Sequence, residues 1–126
     1  MRSPGPWPEP VRLLDEYFLT EVLNRSRNCL IPWYLMTCFA YYHRNISLIS
    51  DELFDQICVW LDEEFDNLEH VHKSYVKRDV GSAKGQAYSL REEGYPSMSI
   101  YAARNLISKF NDINQKHTVI QSEFDF

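Results

Sequence analysis

The stretch YYHRNISLISDELFDQICVWL, residues 41 to 61, decides how this chain reads. Its first part closes one helix and its second part opens another. Ser50 is a favourable N-cap, since its hydroxyl can accept from an unpaired amide of the first turn. Asp51 and Glu52 follow, setting negative charge against the positive end of the helix dipole. Leu53, Phe54, Ile57, Trp60, Leu61 and Phe65 then recur at helical spacing, which predicts a buried stripe and a helix reaching about Leu68.

The rest of the chain falls into place around that corner. Upstream, Pro32 sits in a first helical turn, where a missing N–H costs nothing, and predicts a helix from Ile31 to about Arg44. Its apolar set is Trp33, Leu35, Met36, Phe39, Ala40 and Tyr42, and residues 45 to 50 are its connector to the next helix. Further upstream, Leu13, Leu14, Tyr17, Phe18 and Val22 predict a helix from Glu9 to Ser26. Downstream, GSAKG at 81–85 is a break, residues 73–96 read as irregular, and Tyr95-Pro96-Ser97 marks a turn. A last helix is predicted from Met98 to Asn114, with Ile100, Ala103, Leu106, Ile107 and Phe110 inward. The expected fold is a small, mainly α domain of about four helices, spanning 9–114. Residues 1–8 form a flexible Pro/Gly-rich start, and residues 115–126 a loose acidic and aromatic tail.

Composition narrows the function classes. With 126 residues, 44% hydrophobic and 25% charged, the chain can bury one core. A net charge of −5 argues against a broad grip on a phosphate backbone, which depends on Lys and Arg. Cys29, Cys38 and Cys58 are odd in number and lack CxxC spacing, so they read as reduced core residues of a cytoplasmic protein. No apolar run approaches the roughly 20 residues of a membrane span. The start MRSPGPWPEP has prolines where a secretion signal needs an apolar core.

The opening stretch also carries candidate chemistry. Asp51, Phe54 and Asp55 are spaced i, i+3, i+4 and share one helix face. Tyr42 and His43 close the preceding helix, and a short connector favours antiparallel neighbours. An aromatic face, an imidazole and two carboxylates would then meet in one notch, suited to a flat heterocycle with polar groups. The same residues also read more plainly. Asp51 would complement the helix N-terminus, Phe54 would be core, Asp55 a solvated residue and His43 a charge at a helix C-terminus.

The segment from Leu13 to Leu68 resembles the small N-terminal helical subdomain, domain Ia, of NAD-dependent DNA ligases. Tyr42-His43, a short loop and Ile49-Ser50-Asp51-Glu52-Leu53-Phe54-Asp55 match that family's Tyr-His pair and its "isDaeYDxL" helix opening. The resemblance implies a site for NAD or its nicotinamide mononucleotide half. Tyr42 and His43 would line the nicotinamide pocket, Phe54 would stack on the ring, and Asp51 and Asp55 would hold polar groups. Phe54 stands where the family has Tyr, so a hydroxyl is lost. The family's adenylation lysine lies in a K-x-D-G motif. Here the nearest approach is Lys77-Arg78-Asp79-Val80, with Val for Gly and 46 residues following, too few for a nucleotidyltransferase domain. The chain therefore reads as a non-enzyme, similar to stand-alone ligase-related proteins of bacteriophages. Glu69-His70-Val71-His72-Lys73 also resembles a segment of those proteins.

Two further clusters stand out. His70 and His72 form an HxH pair that, on an extended segment, could share a metal with a third ligand, or serve as solvated or capping residues. Lys73, Lys77, Arg78 and Lys84, with Tyr75 and Tyr88 interleaved, could touch nucleic acid or form a solvated loop. The expected function is a non-catalytic module binding NAD, nicotinamide mononucleotide or a related nucleotide. The alternative is a protein-interaction module of host or phage complexes that keeps the ligase scaffold without the ligand.

Overall fold

The computed structural model describes residues 7–76 and 94–125, with side-chain surroundings given through Asn111. It is a mainly helical domain with no strand among the described residues. Helix α1 spans Glu9–Tyr17 and passes without a break into a π-helical turn, Phe18–Val22, and a short α2, Leu23–Arg25. A 3-10 turn, Arg27–Cys29, leads into α3, Leu30–Arg44. Helix α4 spans Asp51–Glu64 and tightens into a 3-10 turn at Phe65–Asn67. A further 3-10 turn covers Lys73–Tyr75, and α5 runs over Ser97–Asp125.

The boundaries have local causes. The Ser26 hydroxyl accepts the Asn28 N–H at 3.1 Å, and Pro32 sits in the first turn of α3 as expected. Helix α3 ends because Asn45 turns left-handed, at φ 56°. The Ile46 N–H then reaches back to the Ala40 carbonyl at 3.1 Å, a Schellman-type closure. Asn is among the few side chains that tolerate this backbone. The Ser50 hydroxyl accepts the Leu53 N–H at 3.2 Å, which is the N-cap read from the sequence. Pro96 cannot extend a helix backwards, yet its carbonyl accepts the Ser99 and Ile100 N–H groups and so starts α5.

Helix α3 is the spine of the core. Leu30, Ile31, Tyr34, Leu35, Cys38, Phe39 and Ala40 are fully buried. Residues of α3 point inward on almost every side, because α4 and α5 lie along it and the junction of α1 with the π-helical turn reaches it at Trp33. Phe18 from the π-helical turn packs on Trp33 with ring centroids 4.9 Å apart. Phe54 of α4 stacks on Tyr34 at 5.8 Å, and Tyr95, just before α5, meets Phe39 edge-on at 5.4 Å. Ala103 and Phe110 of α5 complete the core.

Two expectations shift. Helix α5 continues to Asp125, past Asn114 and through the stretch expected as a loose tail. Residues 115–125 contain neither Gly nor Pro, so no local residue stops the helix. Cys38 and Cys58 are core residues as expected, but Cys29 is only half-buried. The GSAKG break, the Lys77–Val80 motif, Lys84 and Tyr88 lie outside the described residues.

Candidate functional site

The corner between α3 and α4 is built by a residue far away in sequence. Asp15 of α1 accepts the Ser50 N–H at 3.0 Å, so α1 clamps the first turn of α4. Burial raises the Asp15 pKa above the ordinary carboxylate value, against its hydrogen bonds with Ser50, which lower it. Glu52, on the outer side of the same turn, accepts the Trp7 indole N–H at 3.0 Å. Neither contact had a local sequence signal: Asp15 lies 35 positions from Ser50, and nothing in helical spacing pairs them.

The five residues of the expected nucleotide site divide into two groups. Asp51 and Phe54 are buried, at 3% and 2% exposure, inside the first turns of α4. One face of the Phe54 ring is occupied by Tyr34, at an interplanar angle of 24°. Asp55, on the same helix, is half-buried. Tyr42 is 40% exposed and meets Tyr41 edge-on at 4.9 Å. His43 is half-buried, stacked on Phe39 at 5.6 Å and edge-on to Tyr95 at 5.3 Å. Arg44 lies over the same Phe39 ring, with its guanidinium carbon 4.7 Å from the ring centre.

The ring contacts of the two groups are therefore separate. Phe54 meets α3 at Tyr34, nine residues before His43, or about 13 Å along the axis at the α-helical rise. His43 instead joins a Phe39–Tyr95 cluster at the start of α5. Burial, then the nearby Cys38 and Tyr42, push the Tyr95 phenol well above its usual pKa. Its ring packs edge-on against both Phe39 and His43. The expected notch required Phe54 and His43 to face one ligand.

A second constellation is open. The end of α4 and the segment after it are each pinned to the 3-10 turn that leads into α3. Asn28 Oδ1 accepts the Glu69 N–H at 2.9 Å, and Arg27 forms a two-point ion pair with Glu64 while its guanidinium lies over Trp60. These ties hold residues 70–72 over the N-terminal end of α3. Between them and the start of α5 lies a cleft of about 170 Å³, lined chiefly by Cys29, Trp33, Met36, His70, His72 and Met98. His70 and His72 do not stand on one side of a strand. They occupy a tight turn, with ring centroids 5.3 Å apart, and the His72 N–H donates to His70 Nδ1 at 3.1 Å. Among the described residues no three His, Cys, Asp or Glu side chains are arranged to hold a metal ion. The HxH pair is thus a local capping device that also lines a cleft.

A third feature is a groove of about 230 Å³ between α1 and α5, walled by Leu13, Leu14, Tyr17, Leu106 and Phe110. Among the described residues, Lys109 is the one charged group in its lining. Among the described residues no helix is long and apolar enough to cross a membrane. No protein-family model, curated protein or solved structure was found to match the chain.

Proposed function

We propose that the chain is a non-catalytic helical module that docks a protein partner along α1 and α5. The observation that carries this is the groove itself: Leu13 and Tyr17 are large apolar side chains, 50% and 43% exposed, on the wall of an almost wholly apolar channel. Contiguous exposed apolar surface of this kind marks interaction sites more often than scattered single residues do. The partner it suits is an amphipathic helix with an apolar stripe and an acidic side chain for Lys109. The sequence resemblance of residues 13–68 to ligase domain Ia, without that family's K-x-D-G motif, is in keeping with a role that is not enzymatic.

A second reading keeps the nucleotide ligand. Its support is that Tyr42, His43 and Asp55 retain exposed surface, so part of the ligase-like set is reachable from solvent. NAD or nicotinamide mononucleotide would have to bind there without the Phe54 ring, or move it off Tyr34.

Titration calorimetry with NAD and with nicotinamide mononucleotide, on wild type and Asp55→Ala, separates the two. Docking predicts no saturable heat with either nucleotide. It also predicts a stoichiometric protein partner, captured from the source cells by wild type and by Asp55→Ala but lost with Leu13→Glu. Saturable nucleotide binding that disappears in Asp55→Ala would replace the docking proposal with the second one. Capture unaffected by Leu13→Glu would remove the groove.

A further inference from the structure

The cleft over the start of α3 is a different kind of site from the α1–α5 groove. Its walls come from three separate parts of the chain: Cys29, Pro32, Trp33 and Met36; His70 and His72; Met98, Ser99 and Ala102. The lining is soft and polarizable. It holds one indole, two imidazoles, two thioethers and one thiol, and thioethers favour the edges of aromatic rings. At interior packing density a space of 170 Å³ accommodates roughly 125 Å³ of molecule, the size of two fused rings. An engineered apolar cavity of about 150 Å³ already holds benzene, so a slightly larger one has room for a bicyclic ring.

One hydrogen bond sets which proton the His70 ring offers to the cleft, beside the polar groups of His72, Ser99 and Cys29. Because the His72 N–H donates to His70 Nδ1, that nitrogen carries no proton, and the neutral His70 ring keeps its proton on Nε2. Burial first, and the neighbouring His72 second, lower the His70 pKa and so favour this neutral form. His70 thus brings one N–H donor to a largely apolar lining. A metal would need the ring to surrender a lone pair already engaged or a proton already placed, and the lining offers no third hard ligand.

We propose that this cleft binds a flat, uncharged bicyclic aromatic compound bearing a single hydrogen-bond acceptor, with His70 Nε2–H as the donor and Trp33, Met36 and Met98 as the stacking walls. The site is pre-formed by the Asn28–Glu69 and Arg27–Glu64 contacts, which lie outside the lining and hold the His70–His72 turn in place.

The experiment uses the full chain with methionine methyl groups labelled with carbon-13. Quinoline and naphthalene serve as probes, since they share a shape and differ by one ring-nitrogen acceptor. Quinoline is expected to shift the Met36 and Met98 methyl signals saturably and to give intermolecular Overhauser contacts to both. One net hydrogen bond predicts roughly three- to tenfold tighter binding of quinoline than of naphthalene. His70→Phe keeps a ring and removes the donor, so it is expected to erase that preference while both probes still bind. Ala102→Trp is expected to fill the cleft and abolish both. Circular dichroism and Tm confirm that each variant is folded, and the wild-type Overhauser contacts stand without any variant. Absence of saturable shifts at millimolar quinoline, or Overhauser contacts that avoid both methionines, would overturn the site. Equal affinity for the two probes in wild type would overturn the donor assignment.

Discussion

The α3–α4 corner and the cleft over the start of α3 both gather aromatic and imidazole side chains, with carboxylates added at the corner and sulfur at the cleft, and put them to opposite ends. At the corner, the part of the expected motif that lies on the first turns of α4 is drawn into the fold. Phe54 is stacked on Tyr34, Asp51 is buried in the first turn of α4, and the Ser50 amide is tied to Asp15. At the cleft, residues with little local pattern are left lining open space. A side chain already saturated by packing has little left for a ligand. One held at a rim by its neighbours' contacts has more.

Substitutions should sort along that contrast. The largest effect belongs to Phe54→Ala, which removes a buried, stacked ring and is expected to cost about 3–5 kcal/mol in chemical denaturation. A loss below about 1 kcal/mol would mean that the ring is not core and would reopen the corner as a ligand site. Asp15→Ala comes next. It strips the acceptor from the buried Ser50 N–H and should cost about 1–3 kcal/mol, an effect that Asp15→Asn partly rescues because its amide oxygen can still accept. Ser50→Ala removes the cap on Leu53 and should cost about 1 kcal/mol.

The cleft should respond weakly in stability and visibly to pH. His70 has a folded-state pKa below its ordinary 6.5, so the unfolded chain binds more protons as pH falls through that value. Stability is therefore fully present above about pH 6.5 and declines as pH drops toward the folded-state pKa. Denaturation profiles between pH 7.5 and 5, in wild type and His70→Phe, should diverge in that direction, and parallel profiles would break the assignment. Asp15 works with the opposite sign in a lower window. Its raised pKa gives a contribution complete below about pH 3.8 and lost as pH rises through the folded-state value. The smallest effect is expected at the exposed side of the cleft region: Met98→Ala, at a residue 68% exposed, should change stability by less than about 0.5 kcal/mol.

Legibility followed the range of the interactions. The α4 start was readable because Ser50 acts on an amide three positions away, and Asp51 and Glu52 act on the same turn. The α3 stripe was readable in part: periodicity marked Trp33, Leu35, Met36, Phe39, Ala40 and Tyr42, of which Tyr42 is exposed. Tyr34 and Cys38, on the opposite side, proved equally buried because a second and third helix cover them. The end of α5 was misplaced: an acidic, aromatic stretch resembled a tail, but its residues contain no helix breaker. For the expected site, the shared face of Asp51, Phe54 and Asp55 and the burial of Phe54 were legible, whereas the burial of Asp51 was not. Helical spacing states which residues point together and says nothing of what they point at.

By itself, then, the amino-acid order determined where helices begin and stop around Ser50, Pro32 and Asn45, and that the product would be a small helical domain. Caps, proline and the dipole act within a turn or two, so their information is local. Tertiary structure alone decided that Phe54 would meet Tyr34, twenty positions earlier, and that Asp15 would close the corner from a different helix. It also brought Cys29, His70 and Met98 around one cleft. Those outcomes rest on which surfaces exclude water when the helices pack, and that is a property of the assembled chain rather than of any window along it.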